Sequence, residues 1–255
     1  YALAAKHKIH PTYIQKILAD KRYTKKNYIS IINNLKKTES KKFNPLKFNN
    51  STTFLSTLPK GADEPKKIIK SNNFLIIGSG SSVKKYKNKI LDFIKNKKPF
   101  VFSLNTESII KKKLIDIKVA CHPMRILADI NYHNKSKAKI AIPYSMMPKD
   151  IRNSITLKKR NIIDYGMLLN FEKNIIVKRN YCILPYPLAI GYCLGIIFSC
   201  TKKNTIHLAG FDGYEKASPD KDNTEQVLKL FKKKYANQFF SITPSNYTYT
   251  KNKKI

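Results

Sequence analysis

The stretch Phe74-Leu75-Ile76-Ile77-Gly78-Ser79-Gly80-Ser81-Ser82-Val83 decides the fold class. An apolar run, a glycine pair and two serines lead into a helical pattern carried by Val83, Tyr86, Ile90 and Phe93, which spells strand, tight turn, helix. In such a turn, backbone N–H groups can approach an anion, and the N-terminus of the helix adds a favourable dipole. Ser81 and Ser82 supply hydroxyl donors and a helix cap. Two readings fit the glycines: a nucleotide or sugar-phosphate pocket, and a turn kept narrow for packing. A dinucleotide fingerprint does not fit, because its third glycine falls at Val83 and the second strand ends at Asn105 instead of an acidic residue. Nor is there a Walker loop, since no Gly-Lys-Ser/Thr follows.

Outward from this turn the pattern repeats. Residues 99–104, 115–121, 139–142, 204–209 and 239–243 read as further strands, separated by helical or irregular stretches. Strand–helix–strand repetition predicts an α/β domain with a mostly parallel sheet and helices on both faces. Ligands of such sheets sit beyond the carboxyl ends of the strands. That rule selects Gly78, Ser79, Gly80, Ser81 and Ser82, then Asn105 and Thr106, then Cys121, His122 and Arg125, then Gly210 to Tyr214. Arg125 stands out among so many lysines as a group able to hold a phosphate or carboxylate. For His122 a structural and a catalytic role both remain open. His207, inside an apolar strand, reads as a core residue.

Residues 181–201 carry no charge and are long enough for a membrane span. Pro185 and Pro187 interrupt them early, and Gly191 and Gly195 dilute them, so a turn followed by a buried helix over 188–200 is the better account. The glycines would let that helix approach a sheet closely. Toward the start of the chain, Pro11 opens a helix with Tyr13, Ile14, Ile17 and Leu18 on one face. Thr24 caps a second helix carrying Tyr28, Ile31, Ile32 and Leu35. These readings divide the chain into a helical segment (1–40), a linker (41–61) and an α/β domain (62–255). With Tyr1 in place of Met, inside an apolar helical pattern, the sequence is expected to be a piece of a longer polypeptide, and no secretory signal is visible.

The 255 residues carry 50 Lys and Arg against 16 Asp and Glu, a net charge of +34. Five of the basic residues are arginines, which leaves 45 lysines. Such a field attracts nucleic acid, acidic lipid or phosphorylated ligands. The lysines occur in every segment, however, alongside abundant Asn, Ile, Tyr and Phe, which leaves two accounts open, A+T-rich codon usage and a selected anion-binding surface, and neither a recognition helix nor aromatics between arginines point to specific nucleic-acid binding. Cys121, Cys182, Cys193 and Cys200 form no CxxC pair or zinc spacing and read as reduced core residues of a cytoplasmic protein. Asp220-Lys221-Asp222, the only Asp-x-Asp, reads as a solvated turn after Pro219, so no metal site is expected.

These motifs also carry a resemblance. The segment from Tyr1 to Gln15, with Asp20-Lys21-Arg22-Tyr23 after it, resembles the part that follows the barrel in aldolase-like proteins of the HMG-CoA lyase / 4-hydroxy-2-oxovalerate aldolase superfamily, in the variety found among genes for surface polysaccharide synthesis. Members of that variety carry an extension with counterparts of Gly78-Ser79-Gly80, Ala120-Cys121-His122-Pro123-Met124-Arg125 and Leu208-Ala209-Gly210-Phe211-Asp212-Gly213-Tyr214. The extension is similar, more distantly, to Rossmann-like bacterial sialyltransferases that use CMP-sugars. The resemblance implies a Rossmann-like sugar-nucleotide-binding domain behind a missing barrel, with any divalent metal confined to that barrel and no cofactor in this chain. It implies nucleotide contacts from Gly78, Gly80, Ser82 and Asn105, with Asp212 and Tyr214 bordering the sugar phosphate. Those transferases use a histidine downstream of their Gly-x-Asp motif. None follows His207 here, which leaves His122, with Asp212, as the catalytic candidates. The expected partners are a nucleotide sugar or sugar phosphate and further copies of the chain. A domain that is itself a glycosyltransferase, or a non-catalytic coupling module, is the alternative.

Overall fold

The computed structural model describes residues 60–105, 109–136, 138–147, 149–170, 174–213 and 219–252. The helices expected near Pro11 and Thr24, residues 41–59 of the linker, Thr106 and Tyr214 lie outside the described residues.

The first strand, β1 (Asn73–Ile77), holds the centre of the molecule. Phe74, Leu75, Ile76 and Ile77 are all fully buried because the strand is covered on both faces, which is why its sequence is continuously apolar. Phe74 and Ile76 join one core cluster with Phe102, Ile206 and Leu208. Leu75 and Ile77 join the opposite one with Ile90, Phe93 and Val101. The helical pattern after the turn is split into α1 (Ser82–Lys85) and α2 (Lys87–Lys97), which meet at Tyr86. The chain then forms β2 (Phe100–Leu104), β3 (Ile117–Val119), α3 (Pro123–Ala128), α4 (Ile130–Asn134), β4 (Lys139–Ile142), α5 (Lys149–Ser154) and β5 (Ile162–Asp164).

A small sheet follows, built from β6 (Gly166–Leu169), β7 (Ile176–Val177) and β8 (Tyr181–Leu184) in the order β6-β8-β7. After it come α6 (Ala189–Cys200), β9 (Thr205–Ala209), α7 (Pro219–Tyr235), β10 (Phe239–Ser241) and β11 (Thr250–Asn252). The main sheet runs β11-β10-β9-β1-β2-β3-β4-β5, and every pairing in it is parallel. This is the α/β, Rossmann-like architecture that the strand–helix repetition predicts. The chain builds outward from β1 to β5, then returns to the other side of β1 and builds outward again through β9, β10 and β11. The strand order therefore reverses between β1 and β9, and a crevice opens beyond the ends of those two strands.

The uncharged stretch resolves into β8, a turn at the prolines and α6. Ten of the twelve residues of α6 are buried, because the helix packs against β2 and β3 of the main sheet and against β7 and β8 of the small one. Gly195 permits the close approach: a Cβ there would lie 2.8 Å from the Cys182 sulfur. Tyr165 is buried beside it, its hydroxyl 2.8 Å from the Tyr181 carbonyl and 3.2 Å from that of Gly195. No helix among the described residues is long and apolar enough to cross a membrane.

Two details differ from the sequence reading. Asp220 and Asp222 form the first turn of α7, where their carboxylates favour the positive end of the helix, rather than a solvated turn. Gly61, read as linker, is packed into the fold, and a Cβ on it would meet the Asn180 carbonyl oxygen at 2.2 Å.

Candidate functional site

A cleft of about 610 Å³ opens at the carboxyl ends of β1, β2, β3 and β9. Its floor and near wall come from Gly78, Ser79, Gly80, Asn105, His122 and Arg125, residues that the crevice rule selects from sequence. Gly210 to Gly213 close the β9 side. The far wall is one that sequence reading missed: Tyr186 to Ile190 at the start of α6, Asp220, Asn223 and Thr224 in the first two turns of α7, and Tyr247. Its signal was the Tyr186-Pro187-Leu188 kink ahead of an apolar helix and the Pro219 start of α7, with Val227, Leu228 and Phe231 behind it.

Close packing explains the glycine pair. The Gly78 amide donates to the Ala209 carbonyl at 2.8 Å, and the Gly80 amide donates to the Gly210 carbonyl at 3.0 Å. A Cβ on Gly78 would meet the Gly210 oxygen at 2.7 Å, and one on Gly80 would meet it at 2.6 Å. Gly210 sits at φ +74, where a Cβ would also lie 2.3 Å from a Val83 methyl carbon. The turn thus zips the ends of β1 and β9 together, and its two glycine amides are already engaged.

Ser81 and Ser82 are not among the residues that line the cleft, and both bond to Asp212, which does line it. The Ser82 amide donates to the Asp212 carboxylate at 2.8 Å and the Ser81 hydroxyl does so at 3.0 Å. The Ser82 hydroxyl bridges the same carboxylate and the Thr243 hydroxyl, which in turn accepts the Gly210 amide at 3.0 Å. Asp212 therefore reaches the cleft wall as the anchor of a network joining the ends of β1, β9 and β10.

Beyond β3 the chain presents Cys121, His122 and Arg125. His122 is the N-terminal flanking residue of α3, with Pro123 at the first helical position. The Cys121 sulfur donates to the Pro187 carbonyl at 3.6 Å, tying β3 to the far wall. Burial pushes its pKa up to about 12, so the thiol stays protonated near neutrality and is a packing group, not a nucleophile. The Arg125 side chain is 24% exposed and pairs through Nε with Asp129 Oδ2 at 2.6 Å. Asn105 ends β2 at φ +54, a left-handed conformation that asparagine tolerates, and its amide donates to the Val119 carbonyl at 2.8 Å. Of the candidates named from sequence, the fold brings Gly78, Ser79, Gly80, Asn105, His122, Arg125 and Asp212 to one cleft and leaves Ser81 and Ser82 outside its lining.

The four cysteines are buried and free. His207 is buried with its ring 4.6 Å from that of Phe93. Among the described residues no group of three His, Cys, Asp or Glu side chains is placed to hold a metal ion. No protein-family model matches the chain, and no curated protein is significantly similar to it.

Proposed function

We propose that the cleft binds a nucleotide sugar, and that the chain works in surface-glycan biosynthesis as the C-terminal part of an aldolase-like protein. The observation that carries the binding assignment is the convergence at the β1/β9 reversal of an arginine, the end of β2 and the start of α6. The volume of about 610 Å³ lies within the usual range for small-molecule sites. Arg125 supplies a fork for phosphate oxygens. Among the described residues no side chain caps α6, and its first residues, Ala189 and Ile190, line the cleft, so backbone donors and the positive end of a twelve-residue helix face the same space. Tyr186, half-buried on the cleft wall, offers a flat surface for a base or sugar. The engaged glycine amides move the phosphate contacts from the Gly78–Gly80 turn to Arg125 and α6. The aldolase-like part of the reading rests on the sequence resemblance.

Titration calorimetry of the whole chain with CMP- and UDP-sugars tests this. Saturable binding below millimolar concentration is the expected result, weakened by Arg125→Ala; absence of heat at millimolar ligand overturns it. A second reading, that the domain transfers the sugar itself, is favoured by the place of His122 on the cleft wall, where it would accept the proton of an acceptor hydroxyl. Release of nucleotide from a CMP-sugar, abolished in His122→Ala, supports it. Turnover that survives this change removes His122 from the mechanism.

A further inference from the structure

We infer that Asp129 is the positioning residue that sets Arg125 to read a phosphate group, so that the cleft discriminates a nucleotide from its nucleoside through a buried carboxylate one helical turn behind the arginine. This rests on the reading of the cleft as a nucleotide site and goes beyond it by naming what gives the arginine its direction. An i,i+4 ion pair on a helix is usually a solvated surface contact of little consequence. This one is different, because Asp129 is only 7% exposed while Arg125 lies on the cleft wall. The backbone breaks at Asp129 (φ −99, ψ 16), which ends α3 and starts α4, so its position is set by two helices rather than one. The ion pair holds Nε within 2.6 Å of the carboxylate and so restrains where the guanidinium lies, and an arginine restrained in this way loses less entropy on accepting a two-pronged oxyanion.

The pair does not cancel the attraction for an anion. Lys118 lies fully buried in the middle of β3, with its ammonium 4.0 Å above the Tyr132 ring. His133 is buried on α4 and stays neutral, held down to a pKa of about 3 by burial and by the charges of Lys118 and Arg125. Burial and the neighbouring Lys112 lower the Lys118 pKa to about 8, so near pH 7 it stays mostly charged, and its charge acts on His133 together with that of Arg125.

The test uses substitutions that conserve charge. Binding of CMP and of cytidine to the whole chain is measured by ligand-observed NMR for the unaltered protein, Asp129→Glu and Arg125→Lys. Asp129→Glu keeps the charge but displaces the carboxylate by one methylene, and Arg125→Lys keeps the charge but removes the fork. Each is expected to lower the ratio of CMP to cytidine affinity by about tenfold, the worth of one charge-assisted hydrogen bond, with cytidine affinity unchanged. Because cytidine reports an intact cleft, equal weakening of both ligands marks a merely structural effect and overturns the inference. A ratio unchanged in Asp129→Glu but lowered in Arg125→Lys also overturns it, while leaving the nucleotide site standing. Absence of binding of either ligand to the unaltered protein overturns both.

Discussion

At the scale of single residues, chemistry is decided by what each polar group already touches. Ser81 and Ser82 carry donors that sequence reading offers to a ligand, yet the Asp212 carboxylate occupies them. Nothing in the local sequence announces this, because the partners lie 130 residues apart. Arg125 was legible for the opposite reason: scarcity singles out the residue type, and the end of β3 singles out its place. His133 leaves a measurable trace. In the unfolded chain its imidazole takes a proton near pH 6.5, and in the folded protein only near 3. Between those values the unfolded state holds more protons, so stability falls as pH is lowered through that window. Urea midpoints at pH 7 and pH 4.5 are expected to differ less in His133→Phe than in the unaltered chain, and an equal difference would place the destabilising proton elsewhere.

At the scale of elements, the two glycines of α6 look alike in sequence and differ in their surroundings. A Cβ at Gly195 would lie 2.8 Å from the sulfur and 3.0 Å from the Cβ of Cys182 in β8. At Gly191 the nearest atom is a Val227 methyl carbon at 3.2 Å, on the neighbouring α7. Gly195→Ala is therefore expected to cost about 2 kcal/mol from overpacking. Gly191→Ala gains helix propensity of about 1 kcal/mol against a modest displacement of Val227, and so stays within about 1 kcal/mol of the parent. Chemical denaturation of the two variants checks this, and equal losses would contradict the close approach of α6 to β8. The same helix shows how far sequence reading reaches: its existence, start and burial follow from an uncharged run after two prolines. β8, a four-residue strand just before those prolines, was too short to separate from the run that contains it.

At the scale of the whole molecule, parallel pairing on both sides of β1 makes that strand the last to open. Hydrogen exchange is expected to be slowest in β1, β9 and α6 and fastest in β7 and β11, at the margins of their sheets. Protection in β11 equal to that in β1 would contradict this order. The same topology gathers a cleft from residues spread between Gly78 and Tyr247. Sequence by itself determined the α/β class, six of the eight strands of the main sheet and the residues at the ends of β1, β2, β3 and β9, because continuous apolar runs bounded by turns are local signals of burial on two faces. Only the tertiary structure decided that the glycine turn packs against β9, that Asp212 anchors the serines, that Asp129 pairs with Arg125 as a buried carboxylate, and that α6 and α7 supply the far wall. Hydrogen bonds and steric contacts between distant segments depend on which strands become neighbours, and that order is set by the packing of the whole sheet rather than by any window of sequence.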